Sequence, residues 1–192
     1  VARINRVVET LYDFARPPRL TRQRSSLNEI VTNVLNTFEE KFREVKIGLM
    51  TDLDMSNPAA GLDPLYFAQA LHNVFQNAYE VMPDGGKLKV ATRAQGSNCE
   101  VTVSDSGPGI DSENAPLIFL PFFSTRETGM GLGLSVAQRI MRQHDGDLQL
   151  VSSQAGSTFV FTLPLGGPQK KTELHAIDQA TAGIVNEDRF SR

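Results

Sequence analysis

Three short segments of this chain carry residues whose types and spacing suit the binding of a phosphate-bearing ligand. Two of them are glycine clusters, at residues 105–110 and 129–134. Glycine lets a backbone bend around a ligand and approach phosphates at a distance where a side chain would collide. The third segment, residues 73–78, places Asn73 and Asn77 four positions apart, and such positions are neighbours on one face of a helix.

The apolar pattern along the chain predicts the elements that must position these segments. A long helix begins with Asp63 as N-cap and Pro64 in the first turn, and it carries both asparagines. The first glycine cluster follows a predicted strand, and the second leads into a helix. Helices are predicted from Ser25 or Ser26 onward, at 64–82 and at 135–143; strands are predicted at 46–53, 87–93, 100–104, 147–152 and 158–164.

An aspartate after an apolar strand, a helical asparagine pair and two glycine hinges resemble the G1, N and G2 boxes of the GHKL ATP-binding superfamily. Within that superfamily the chain resembles the catalytic domain of sensor histidine kinases, over residues 1 to about 165. The resemblance implies an α/β fold: a two-layer α/β sandwich, the GHKL or Bergerat ATP-binding fold, with a mixed sheet and helices on one face. It also implies ATP and Mg²⁺ as ligands.

Composition excludes several other classes of function. The formal net charge is −3, and the basic residues are scattered, so no nucleic-acid-binding face is expected. Cys99 is the single cysteine, which rules out an internal disulfide and a multi-cysteine metal site and fits a reducing cytoplasm. No apolar stretch approaches the length of a membrane span, and the first residues lack the pattern of a signal peptide.

Three regions are expected along the chain. Residues 1–19 form an amphipathic helix that Pro17 and Pro18 end; it resembles the second dimerisation helix of nitrogen-regulation sensor kinases. The resemblance implies a homodimer through such helices. Residues 20–165 form the ATP-binding catalytic domain, and residues 166–192 are predicted to be a linker and tail. Because the chain starts in mid-helix without a methionine, we expect a piece of a longer protein, with any membrane anchor elsewhere in that parent.

The asparagine pair is the predicted contact with magnesium and phosphate. Magnesium prefers oxygen ligands and keeps several of its waters, which suits the neutral amide oxygen of Asn77. Asn73 lies one turn earlier as its neighbour. Either residue alone could simply cap the helix or lie on its surface without a role. Asparagine is unfavourable in a helix interior, however, so a pair on one face indicates a function.

Position 73 bears on the class of reaction. Gyrase-type, chaperone and mismatch-repair ATPases of the superfamily carry a glutamate there, which activates water. The amide of Asn73 cannot act as a general base, so the sequence favours a site that holds ATP for another nucleophile. Glu80, beyond the pair on the same helix, is a weaker rival for the role of base.

Further contacts with the nucleotide follow from the resemblance. Asp105 matches the aspartate that accepts a hydrogen bond from the adenine amine, with Gly107 and Gly109 turning the chain beneath the base. Residues 121–126 resemble the F box that hinges a lid, residues 106–128, over ATP; Arg126 replaces the usual lysine and can fork onto phosphate oxygens. The remaining predicted contacts are Ile110, Phe123, Thr125, Gly129, Gly131, Leu132, Gly133, Leu134 and Thr158.

The three histidines do not match a phosphoacceptor. His72 lies beside Asn73, His144 precedes Asp145-Gly146, and His175 lies in the tail. We therefore expect transfer of the ATP γ-phosphate to a histidine on an upstream helix absent from this chain, for relay to a response regulator receiver domain. Two alternatives remain: a GHKL-type ATPase or serine kinase, and a pseudokinase that binds nucleotide without catalysis.

Overall fold

The computed structural model of the protein describes residues 19–126, 129–152 and 155–165. The predictions of a dimerisation helix over residues 1–19 and of a tail over 166–192 therefore lie outside the described residues, apart from Arg19. The helices are α1 (Leu27–Glu44), α2 (Pro64–Val81) and α3 (Gly133–Gln143). The strands are β1 (Gln23–Ser26), β2 (Ile47–Asp52), β3 (Ala59–Leu62), β4 (Gly86–Gln95), β5 (Asn98–Asp105), β6 (Asp147–Ser152) and β7 (Thr158–Pro164).

The strands form one mixed five-stranded sheet and one small two-stranded sheet. The large sheet has the order β2-β4-β5-β7-β6, in which β2 and β4 run parallel and the other pairs run antiparallel. This confirms the predicted mixed sheet. The small antiparallel sheet of β1 and β3 was not predicted, because its Gln/Arg/Ser and Ala/Gly-rich strands lack the alternation of large apolar residues that marks a strand.

Helices pack on one face of the large sheet, as predicted. Along β5, for example, Cys99, Val101 and Val103 are buried while the residues between them are partly exposed, which is the alternation of a half-covered strand. The core between sheet and helices is rich in aromatic side chains, and Phe67 packs edge-on against Phe161. Among the helices of the described residues, none is both long and apolar enough to cross a bilayer.

Capping fixes where two of the helices begin. The Ser26 hydroxyl accepts a hydrogen bond from the Glu29 amide at the start of α1. Asp63 caps α2 by accepting from the amides of Leu65 and Tyr66, as predicted for the Asp-Pro start. No side chain caps α3, which begins at Gly133 within the second glycine cluster.

A buried polar contact joins the start of α2 to the end of α3. The Asp63 amide donates to His144 Nε2 over 2.9 Å, and His144 Nδ1 lies 2.8 Å from the Ile140 carbonyl oxygen. These partners define the neutral tautomer with the proton on Nδ1. Beside this contact, Arg22 Nη1 lies 2.6 Å from Asp145 Oδ2. His144 is thus structural, and burial lowers its pKa below the usual value of 6.5.

The burial of His144 makes stability depend on pH. Since the pKa of His144 is lower in the folded than in the unfolded chain, the unfolded chain takes up the proton first, and stability falls as the pH drops below about 6.5. We expect His144→Gln to cost about 1–3 kcal/mol at pH 7.5 and to flatten the decline between pH 7.5 and 5.5. Urea unfolding of both chains at the two pH values measures this; equal declines would contradict the role of His144.

Candidate functional site

The asparagine pair lies on the side of α2 that meets the start of α3. Both side chains are half-buried, next to the buried Val74 and Ala78 of the same helix. A β-carbon built on Gly133 would lie 3.8 Å from Asn73 Cβ, so the first turn of α3 approaches this asparagine closely. Free N–H groups and the helix dipole make such an uncapped start a favourable place for phosphate oxygens.

The buried end of β5 holds the carboxylate of Asp105. Its Oδ1 accepts hydrogen bonds from the Gly107 amide over 2.9 Å and from the Ser157 amide over 3.2 Å. Burial raises the pKa of this carboxyl, and the backbone hydrogen bonds from Gly107 and Ser157 oppose that rise. The group is therefore a rigidly held acceptor at the edge of the site.

The prediction that Thr158 contacts the ligand needs correction. Its hydroxyl donates to Ser104 Oγ over 3.0 Å, on the sheet face opposite to the helices. Side chains alternate along a strand, so Phe159 points into the core and Thr158 points away from Asp105. The residue that reaches the carboxylate is Ser157, one position earlier, through both its amide and its side chain.

Each glycine cluster contains one glycine in the left-handed backbone region, which side chains rarely adopt. Gly109 and Gly131 adopt positive φ angles of 81° and 64°. A β-carbon on Gly131 would collide with the backbone of Phe122 and Phe123, and the Gly131 carbonyl accepts from the Phe122 amide over 2.8 Å. The second cluster is therefore folded directly against the predicted F box, with Gly129 close to the Ser124 side chain.

The apolar residues predicted at the site divide into anchored and exposed side chains. Phe123, Ile110 and Leu134 are partly buried against the core, and Leu132 is buried. Thr125 is exposed, as is Phe122, whose side chain is 62% exposed and whose φ is 68°. Phe123 thus anchors the segment to the domain, while its neighbour faces solvent.

Arg126 connects this segment to α2. Its Nη2 donates to Asn77 Oδ1 over 2.9 Å, and its Nη1 lies 2.5 Å from Glu80 Oε2. The second contact has the distance of an ion pair but not the alignment of a hydrogen bond. The structure therefore brings together Asn77 and Arg126, two residues that the sequence placed at the site, and adds Glu80 as the partner of the arginine.

The site thus contains a buried carboxylate held by two backbone amides, an uncapped helix start that suits phosphate oxygens, and an amide oxygen with a cationic neighbour. Residues 62–167 match the family described as "Histidine kinase-, DNA gyrase B-, and HSP90-like ATPase". The chain belongs to this family. It is an ATP-binding domain of the histidine kinase-like type.

Similar proteins and similar solved structures support this family assignment. The sensor histidine kinase ZraS of Klebsiella oxytoca is 36% identical over 170 residues, which cover 88% of this chain and 37% of ZraS. The catalytic domain of histidine kinase ThkA has a TM-score of 0.71 at 33% identity, covering 77% of this chain and 99% of that one. ThkA in complex with response regulator protein TrrA has a TM-score of 0.75 at 30% identity, covering 86% of this chain and 48% of that one. The chain spans little more than a third of the length of ZraS.

Sequence reasoning missed Ser157 and its neighbour Gly156, which the structure places against Asp105. A β-carbon on Gly156 would collide with the Asp105 carbonyl oxygen, and this glycine has a φ of 91°. The sequence signal was present in the turn at 155–157 that precedes a strand, but only the strand pairing shows that this turn lies beside Asp105.

We expect Asp105→Asn to weaken ATP binding by at least about tenfold, because an amide nitrogen would point a donor at the adenine amine. The two backbone hydrogen bonds onto Oδ1 can be kept by the amide oxygen, so the fold should survive. Calorimetric titrations with ATP and GTP, with Asp84→Asn in the exposed turn before β4 as control, measure the change. An equal loss for both nucleotides would contradict a role in adenine recognition.

Proposed function

We propose that this chain is the catalytic domain of a two-component sensor histidine kinase. It would transfer the γ-phosphate of ATP to a histidine on an upstream dimerisation helix outside this chain. The observation that carries the proposal is Asn73: an amide stands beside the start of α3, at the position where water-activating relatives carry glutamate. An amide cannot remove a proton from water, so ATP would be held for another nucleophile.

The residues present fit magnesium. The donor set is an amide oxygen, Asn77 Oδ1, and this atom already accepts from the cationic guanidinium of Arg126. It is therefore directed at a place where a positive charge is favourable. Bound magnesium would neutralise phosphate charge and orient the β- and γ-phosphates. Asn77 is the metal contact that we propose, and Asn73 supports it one turn away.

The other side chains would bind and orient ATP. Asp105 accepts from adenine, and Ser157 holds that carboxylate in place. The first amides of α3 face the phosphates, and the Arg126 guanidinium neutralises their charge. In the transfer itself the γ-phosphorus forms a bond to the acceptor imidazole nitrogen while its bond to the ADP oxygen breaks.

The described histidines support an acceptor elsewhere. His144 is buried with both ring nitrogens engaged, so it offers no free nitrogen to a phosphate. The ring of His72 lies 4.9 Å from that of Phe38, among the packed side chains between α1 and α2. His175 lies outside the described residues. The alternatives of an ATPase or serine kinase and of a pseudokinase are distinguished by the experiment below.

The proposed partners follow from the family and its relatives. In one solved structure ThkA is in complex with a response regulator protein, which supports a receiver domain as the partner of the parent protein. We also propose a homodimer through dimerisation helices, a cytoplasmic location, and membrane attachment only through parent segments outside this chain. Nucleic acid is not a proposed partner, since the net charge is −3.

The isolated chain should neither label itself nor hydrolyse ATP quickly, because it lacks an acceptor and Asn73 cannot act as a base. Mixed with a parent fragment that carries the upstream helix, it should label the fragment with an acid-labile, base-stable phosphate. Radiolabelled ATP and stability of the label to acid and base provide the measurement. Rapid release of phosphate by the chain alone would favour an ATPase, an acid-stable label a serine kinase, and no transfer a pseudokinase.

Asn77→Ala tests the metal contact. Loss of the amide oxygen should weaken binding of Mg²⁺–ATP about tenfold or more, because contacts to charged groups contribute about 1.5–3 kcal/mol. With ATP and excess chelator the two chains should bind alike apart from the lost Arg126 contact. Asn98→Ala, at the exposed start of β5, is the matched control. A loss of the same size with chelator would contradict a magnesium role for Asn77.

A further inference from the structure

Glu80 is engaged by two neighbours, one on each side. Its Oε1 accepts from Gln76 Nε2 over 2.8 Å, one turn earlier on α2. Its Oε2 lies 2.5 Å from Arg126 Nη1, across the gap to the lid segment. The carboxylate is thus fixed on its own helix and aimed at the arginine, which leaves it badly placed to activate water.

The same arginine covers the oxygen that the proposed function assigns to magnesium. Nη2 of Arg126 donates to Asn77 Oδ1 while Nη1 contacts Glu80, so one planar guanidinium spans a helical turn of α2. Magnesium and the guanidinium are both cations, so they repel each other when both contact the same amide oxygen. Arg126 must therefore move for the metal to bind.

We propose that Glu80 is a positioning residue that holds Arg126 over Asn77 and so sets how tightly the domain binds Mg²⁺–ATP. The proposal rests on the proposed function, and it adds that Arg126 and Asn77 change their binding partners when Mg²⁺–ATP binds. Arg126 leaves Glu80 and Asn77 for the phosphates, and Asn77 passes to the metal. Glu80 competes with the phosphates for one cation.

Charge determines the direction of the effect. The ATP phosphates carry several negative charges against the single one of Glu80, so the arginine transfers to them on binding. Glu80, three residues beyond Asn77 on α2, is then left without its counter-ion, and its charge repels the phosphates. Both terms oppose binding, so removing the negative charge should strengthen it.

Exposure limits the size of the effect. The side chains of Arg126 and Glu80 are 35% and 41% exposed, so the pair is screened by water and salt. Exposed pairs of this kind correspond to about two- to fivefold in an equilibrium constant. The expected change is therefore modest, and it should shrink as salt is added.

The test uses Glu80→Gln, which keeps the shape and can still accept from Gln76. The Kd for Mg²⁺–ATP should fall about two- to fivefold at low salt. In an Arg126→Ala background the same substitution should have a smaller effect, because only the direct repulsion between Glu80 and the phosphates remains. Glu39→Gln removes the same charge from the exposed face of α1 and serves as the control.

A second measurement uses no nucleotide and therefore judges the contact separately from the proposed function. Hydrogen exchange of residues 122–126 should be faster in Glu80→Gln than in the unsubstituted chain. Unchanged exchange, or Mg²⁺–ATP binding that is unchanged or weaker, overturns the role of Glu80. Failure of the unsubstituted chain to bind Mg²⁺–ATP overturns the proposed function instead.

Discussion

The carboxylate of Asp63 is the contact on which the rest of the structure depends. Its Oδ1 caps α2, and its Oδ2 accepts from the Thr21 amide over 2.7 Å. The backbone amide of the same residue donates to His144 at the end of α3. A single residue thus fixes the relative placement of two helices and of the segment that leads into β1. Because it is 7% exposed, these partners are what make its burial tolerable.

The candidate site follows from that placement, because α2 contributes one contact to it at each successive turn. Asn73 meets the start of α3, Asn77 meets Arg126, and Val81 packs where the chain turns after Asp105. Because the opposite face of α2 is buried in the core, the helix cannot rotate about its axis, and these three contacts keep their positions. The polar stripe is locally unfavourable for a helix, and burial of Phe67, Leu71 and Phe75 offsets it.

The sequence predicts those helices and strands whose residue pattern favours one type of secondary structure clearly over the others. The Asp-Pro start of α2 and the long alternating runs of β4 and β5 left few alternatives, and the elements appear within one or two residues of prediction. The pair of β1 and β3 could not be predicted, since its strands depend on each other across about 35 residues for their hydrogen bonds. Likewise, the choice between Ser157 and Thr158 depends on which face of the sheet each residue occupies, and one position reverses that face.

The reactivity of Cys99 can report how often the central sheet of the domain opens. This sole cysteine lies wholly buried in β5, and burial raises the pKa of its thiol to about 11. Only a thiolate attacks alkylating reagents at an appreciable rate, so the folded chain is protected both by access and by protonation. Modification therefore requires the central sheet to separate, and its rate records how often that occurs. A surface label can be introduced elsewhere in this chain without removing its native cysteine.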